Sequence, residues 1–137
     1  MNSTTRLFLG LAFLLLATGT TLGATGAHFL QDKLTPDRLA VYQQAVDFQF
    51  FQALGLIAIA GLAHKLPDST LVKVCGWLVV AGIALFSGSI YATTFGFLPP
   101  RMAFIAMFGG FAFQIAWLSL ALMVWFGKAA RPTAAGS

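Results

Sequence analysis

A carboxylate and two amides stand inside apolar sequence in the run AVDFQFFQAL, as Asp47, Gln49 and Gln52, and His28 closes the apolar stretch before it. Asp47 is the sharpest of these. An ionisable side chain within a membrane helix is a functional-site candidate by default, as a proton relay or an ion ligand. Its charge costs about 2.5–3.5 kcal/mol at the bilayer centre and less toward the interface. The competing reading is structural. Asp47 shares a helical face with Gln43 and Gln44, so it looks outward to the headgroups or pairs with Arg38, Lys33 or Arg101. Gln49 and Gln52 fall on the opposite face, with Ala45 and Leu56. Both amides are expected at the membrane level of Thr25 and His28, with an interhelical cluster of His28 and Gln52 that can take in Thr25. Such bonds average about 0.6 kcal/mol and fasten helices together. Proton relay or ligand recognition is the functional alternative for the same groups.

Other chemistries lack their residues. His28 and His64 close successive apolar segments, so they belong to opposite membrane faces and cannot form the bis-histidine pair that haem needs. Zinc would need ligand spacing that one cysteine and two distant histidines do not provide. No nucleophile-elbow serine, phosphate loop or paired catalytic carboxylates occur. Cys75 is alone and reads as a small buried apolar residue. The expectation is therefore a non-enzyme with no catalytic residue, no metal and no cofactor. Gln114 and Ser119 read as single polar residues bonding locally or across helices, and the fourteen phenylalanines as lipid-facing or packing.

The elements that must position these groups can be read from composition. The 137 residues are 58% hydrophobic and only 9% charged, with a mean hydropathy of +0.84. An average soluble domain is about a quarter charged, so these polar side chains are too few to coat a water-soluble globule. The chain reads as an integral membrane protein. Its net charge of +4 comes from basic residues scattered singly, which is not a nucleic-acid footprint.

Residues 7–31 contain no Asp, Glu, Lys or Arg, a run longer than the roughly 20 residues that cross a bilayer. A cleaved signal peptide is the rival reading, with Arg6 before the apolar core and small residues at 23–27 as cleavage site. The span is preferred, as helix 1 over about 7–28. Gly19, Gly23, Gly26 and Ala27 form a small-residue ridge on one side, opposite Thr21, Thr25 and His28. Thr35, Pro36 and Asp37 give a strong start to helix 2 (36–63), with Leu34 and Leu39 placed as a staple. Helix 3 (70–98), capped by Asp68 or Ser69, carries Ala84, Gly88, Ala92 and Gly96 at every fourth position. That second ridge is expected to pack on the first. Pro99 and Pro100 end it, helix 4 takes 102–126, and 128–137 reads as a mobile polar tail.

The expected fold is all-α: one transmembrane domain over 1–137, a four-helix bundle, up-down-up-down, with short loops. Both termini then lie on the side holding Arg6, Lys65, Lys73, Lys128 and Arg131, against Lys33, Arg38 and Arg101. Five basic residues against three place the termini in the cytoplasm. Trp77 and Trp125 fall near the cytoplasmic interface, where indole rings favour residence.

Four pieces of the chain resemble a family of small bacterial inner-membrane proteins, the YgdD family, whose animal relatives are called transmembrane protein 256. They are GATGAHFL at 23–30, LTPDRLAVYQQAVDFQFFQAL at 34–54, GIALFSGSIY at 82–91, and Gly109 with Gly110. The resemblance implies a multi-pass inner-membrane protein and supplies no activity. Relatives carry a second histidine in helix 2 where this chain has Gln52, so any chemistry needing two histidines is absent or different here. Helix 4 reads AMFGG where relatives tend to have a proline before the glycines.

The function expected is a non-catalytic structural or accessory role. Membrane lipid surrounds the protein, which forms a homo-oligomer or joins a larger membrane-protein complex. A proton-, ion- or small-solute-conducting protein using Asp47, His28 and Gln52 is the alternative.

Overall fold

In the computed structural model, which describes residues 1–127, four helices are long and apolar enough to span a membrane. They are α1 (Ser3–Leu30), α2 (Pro36–Lys65), α3 (Thr70–Thr94) and α4 (Pro100–Phe126), and no strand occurs among the described residues. The expected tail at 128–137 lies outside them. Links of four or five residues leave sequential helices antiparallel neighbours.

Local signals explain most boundaries. Thr35 accepts from the Arg38 N–H and Pro36 opens α2, while Ser69, rather than Asp68, caps α3 by accepting from the Val72 N–H at 3.3 Å. Helix 1 starts at Ser3, ahead of the expected Leu7, because Asn2 caps it. The Asn2 Oδ1 accepts from the Thr5 N–H at 2.8 Å, and its Nδ2 donates to the Ala63 carbonyl at 3.0 Å. One side chain thus ties the start of α1 to the end of α2. Helix 3 stops at Thr94, not 98, because Gly96 adopts φ +83 and the N–H groups of Phe97 and Leu98 turn back to the Ala92 carbonyl. Helix 4 opens earlier than expected, with a 3-10 turn over Pro100–Phe104. Two π-helical turns, Gly26–Leu30 and Ala84–Gly88, interrupt the α geometry of α1 and α3.

The core lies between α2 and α3, with α1 laid along α2 and α4 along α3. Leu56, Ile59, Val72, Cys75 and Val79 form its centre, closed by Phe8 and Ala12 from α1 and Phe113 and Ala116 from α4. A smaller cluster of Leu30, Tyr42 and Val46 fills the other end, where Leu34 and Leu39 also pack. Outward-facing Phe13, Leu14, Phe51, Leu54, Ile115, Leu118 and Val124 supply the apolar exterior, a surface for lipid rather than water.

The expected pairing of small ridges is corrected. Gly19, Gly23 and Gly26 face α2, not α3: a Cβ on them would lie 3.4 Å from the Gln49 amide, 3.3 Å from Val46 and 2.6 Å from the Tyr42 ring. Ala27 is exposed. On α3, Ala84 is exposed, nothing comes within 4 Å of a Cβ at Gly88, Ala92 is half-buried, and Gly96 lies in the turn. The close approach made by α3 is to α4, at Gly82 and Gly109, where a Cβ on Gly109 would meet the Phe86 backbone nitrogen at 2.5 Å. α1 meets α3 near its N-terminal end, where the Phe8 ring lies against Gly76 and edge-on to Trp77 at 5.7 Å. Ala84 and Gly88 line a groove shared with Leu15, Thr18 and Leu22 of α1, so this ridge borders open space instead of meeting a backbone. The extra residue of the π turn rotates the rest of the helix by about 100°, which takes Ala92 off that face.

Candidate functional site: an amide junction between the helices

Gln49 is the one member of the 47–52 group that the fold buries, with 2% of its surface exposed. Three helices converge on its amide. Its Nε2 donates to the Leu15 carbonyl at 2.8 Å and to Thr18 Oγ1 at 3.0 Å on α1. Its Oε1 accepts from the Tyr91 hydroxyl of α3 at 2.7 Å. Both amide hydrogens and a carbonyl lone pair are thereby used, the condition for a polar side chain to be tolerated in a low-dielectric interior. Gly19 lies against it, where an added Cβ would be in van der Waals contact with the amide at 3.4 Å.

Further bonds extend this junction. The Tyr42 hydroxyl donates to the Leu22 carbonyl at 2.5 Å, and its ring lies 5.5 Å from that of Tyr91. The π turn in α3 carries Ser87 inward, where its hydroxyl donates to the Ala45 carbonyl at 2.7 Å. One turn along α2, Gln52 Oε1 accepts from the Trp117 indole N–H at 2.8 Å, binding α2 to α4. Gly55 permits this contact, since a Cβ there would lie 2.5 Å from the Trp117 ring.

The remaining expected site residues lie elsewhere. His28 is exposed near the end of α1, and Thr25 bonds its own helix at the Thr21 carbonyl. The His28–Gln52 cluster does not form. The pairs Gly26–Tyr42, Gly23–Val46 and Gly19–Gln49 set the antiparallel register, which puts His28 level with Ala40. Gln52 is then ~18 Å further along the axis at 1.5 Å per residue. Asp47 is exposed on the outer side of α2 beside Gln43, lining a shallow groove with Gly23, Tyr42 and Val46. Thr18, Tyr91, Ser87 and Trp117 were not singled out from the sequence as site residues. Gly55 opposite a tryptophan was the one available signal, and it has no meaning until α2 and α4 are paired.

Among the described residues no group of three His, Cys, Asp or Glu side chains converges. Two grooves flank the junction. One of about 280 Å³ lies between α1 and α3, with Gln49 and Tyr91 in its lining; the other, of about 760 Å³, lies between α2 and α4 and includes Gln52 and Gln114. Cys75 is fully buried in the core. A membrane-permeant maleimide is expected to leave it unmodified in the folded protein and to label it fully after denaturation, as read by intact mass.

Comparison with known proteins places this architecture. The family model described as "Protein of unknown function (DUF423)" matches residues 22–110, which contain the end of α1, all of α2 and α3, and the start of α4. The chain belongs to the DUF423 family. All four motif pieces read from the sequence fall within the match, which bears out the family resemblance. A relative, the UPF0382 membrane protein YwdK of Bacillus subtilis, is 41% identical over 114 residues, 83% of this chain and 90% of its own length. The UPF0382 membrane protein SSP2132 of Staphylococcus saprophyticus is 36% identical over 85% of this chain and 92% of its own. A UPF0382 membrane protein of Haemophilus influenzae is 34% identical over 73% and 78%. No solved structure matches the chain. The family member described here is thus a small multi-pass membrane protein.

Proposed function

We propose that the protein is a non-catalytic packing or accessory component of the bacterial inner membrane, self-associating or docked on a larger membrane complex, with both termini in the cytoplasm. The observation that carries this reading is how the buried amide is used. Gln49 commits its donors and its acceptor to α1 and α3, and Gln52 and Ser87 make further ties between helices. Polar groups inside membrane bundles serve as such glue. The excess of basic residues on the side of the termini supports the orientation.

The alternative, conduction through Asp47, His28 and Gln52, would need those groups on one path. Asp47 is on the outer side of α2, Gln52 is engaged with α4, and His28 is at a different level. Native mass spectrometry of protein extracted from its own membrane tests the first reading. Copurifying subunits or an oligomeric mass is expected, and a lone monomer that restores a knockout phenotype overturns it. Proton flux in liposomes tests the second. The wild-type protein and Asp47→Asn are both expected at background, whereas wild-type flux abolished by the substitution would install the conducting reading in its place.

A further inference from the structure

The α2–α4 groove holds polar capacity that the fold leaves unused. Gln52 gives its Oε1 to Trp117, so its Nε2 hydrogens remain for the groove that it lines. Gln114 lines the same groove from near the middle of α4, exposed between Phe111, Ile115 and Leu118, which are 51–64% exposed. Among the described residues its amide enters none of the bonds that join the helices. In water such an amide is satisfied by solvent; at mid-bilayer it is not, and leaving it unpaired in hydrocarbon is costly.

The occupant must therefore offer both an acceptor and a donor at the depth of Gln114. Acyl chains offer neither, and lipid ester carbonyls sit near the interface. A second copy offers both. A two-fold axis along the membrane normal brings the same residue of each chain to the same depth, and a primary amide is self-complementary. The backbone is also open to approach, since nothing lies within 4 Å of a Cβ at Gly110, one turn before Gln114.

We propose that two copies of this chain pair through the α2–α4 groove, with the Gln114 amide of each copy bonded beside Gln52 in the groove of the other. This rests on the self-association part of the reading above and names its surface. The pairing is isologous, so residues near the axis lie close to their own counterparts. Apolar side chains such as Met107 and Phe111 flank the contact, and Phe48 and Phe113 form its inner wall.

Oxidative cross-linking of the full chain in its membrane tests this. Cys75 stays in place, because its buried thiol cannot pair between copies and its protection from maleimide reports that each variant is folded. Gly110→Cys is expected to give a disulfide-linked dimer, whereas Leu14→Cys, exposed on α1, is not. Adding Gln114→Leu to Gly110→Cys is expected to lower dimer formation about 8-fold, the effect of losing two average interhelical bonds. Equal cross-linking at positions 14 and 110, or none at 110 in a folded variant, overturns the proposal. Native mass spectrometry separates the two failures. A dimer mass without a position-110 cross-link overturns this surface alone, as does a single copy bound to other subunits. An isolated monomer overturns self-association with it.

Discussion

Gln49→Leu is expected to lower the stability of the folded bundle by about 2–3 kcal/mol while keeping its helices. The side chain makes three bonds to two other helices, and interhelical bonds in membranes average about 0.6 kcal/mol each, with a maximum near 1.7. The leucine also strands the Tyr91 hydroxyl beside an apolar group, and a buried polar group without its partner costs about 1–3 kcal/mol when desolvation is complete. Tyr91 is only half-buried, so the lower part of that range applies. Unfolding titrations in mixed micelles or bicelles measure the loss. A double-mutant cycle with Tyr91→Phe should return a coupling of about 0.6–1.7 kcal/mol for that bond. Gln49→Leu within about 0.5 kcal/mol of wild type, the range of an ordinary surface change, would show that the junction contributes little.

The adjacent glycines of α4 are expected to respond to alanine with opposite signs. A Cβ at Gly109 would stand 2.5 Å from the Phe86 backbone nitrogen and 2.7 Å from the Gly82 carbonyl oxygen. Both obstacles are backbone, so no rotamer change relieves them and α3 must part from α4. Overpacking of this kind costs about 1–3 kcal/mol, occasionally more, which exceeds the ~1 kcal/mol that alanine gains over glycine in a helix. Within one copy nothing stands within 4 Å of a Cβ at Gly110, so in the dissociated bundle only the propensity term acts and Gly110→Ala should stabilise by up to about 1 kcal/mol. Thermal or denaturant unfolding of the two variants side by side checks the sign. Equal responses would mean that the α3–α4 contact is looser than the Gly82–Gly109 approach requires.

Gln49 and Gly109 also show where sequence reasoning reaches and where it stops. Helical phase alone placed Gln49 on the face of Ala45 and Leu56, and all three are buried. Phase also put Asp47 on the other side, with Gln43 and Gln44, and all three are exposed. It did not distinguish Gln49 from Gln52, because both amides sit on the inner half of α2. Only the positions of α1, α3 and α4 around that helix give one to Thr18 and Tyr91 and the other to Trp117.

By itself the sequence determined the four apolar spans, their short antiparallel links, the Thr35 cap and the family, since each is written in stretches of residues close together along the chain, whereas the choice of Ser69 over Asp68 came from the structure. Tertiary structure decided which faces meet. Small residues occur on more than one side of α1, α3 and α4, and spacing alone does not say which of them another backbone approaches. A π turn at Ala84–Gly88 broke the expected ridge of α3, which borders a groove beside α1 instead of packing on it, and Ser87 bonds inward to α2. The stagger of α1 on α2 separated His28 from Gln52 and set Gln49 among three helices. Contacts between helices depend on rotation and axial offset together, and neither is encoded in any one helix.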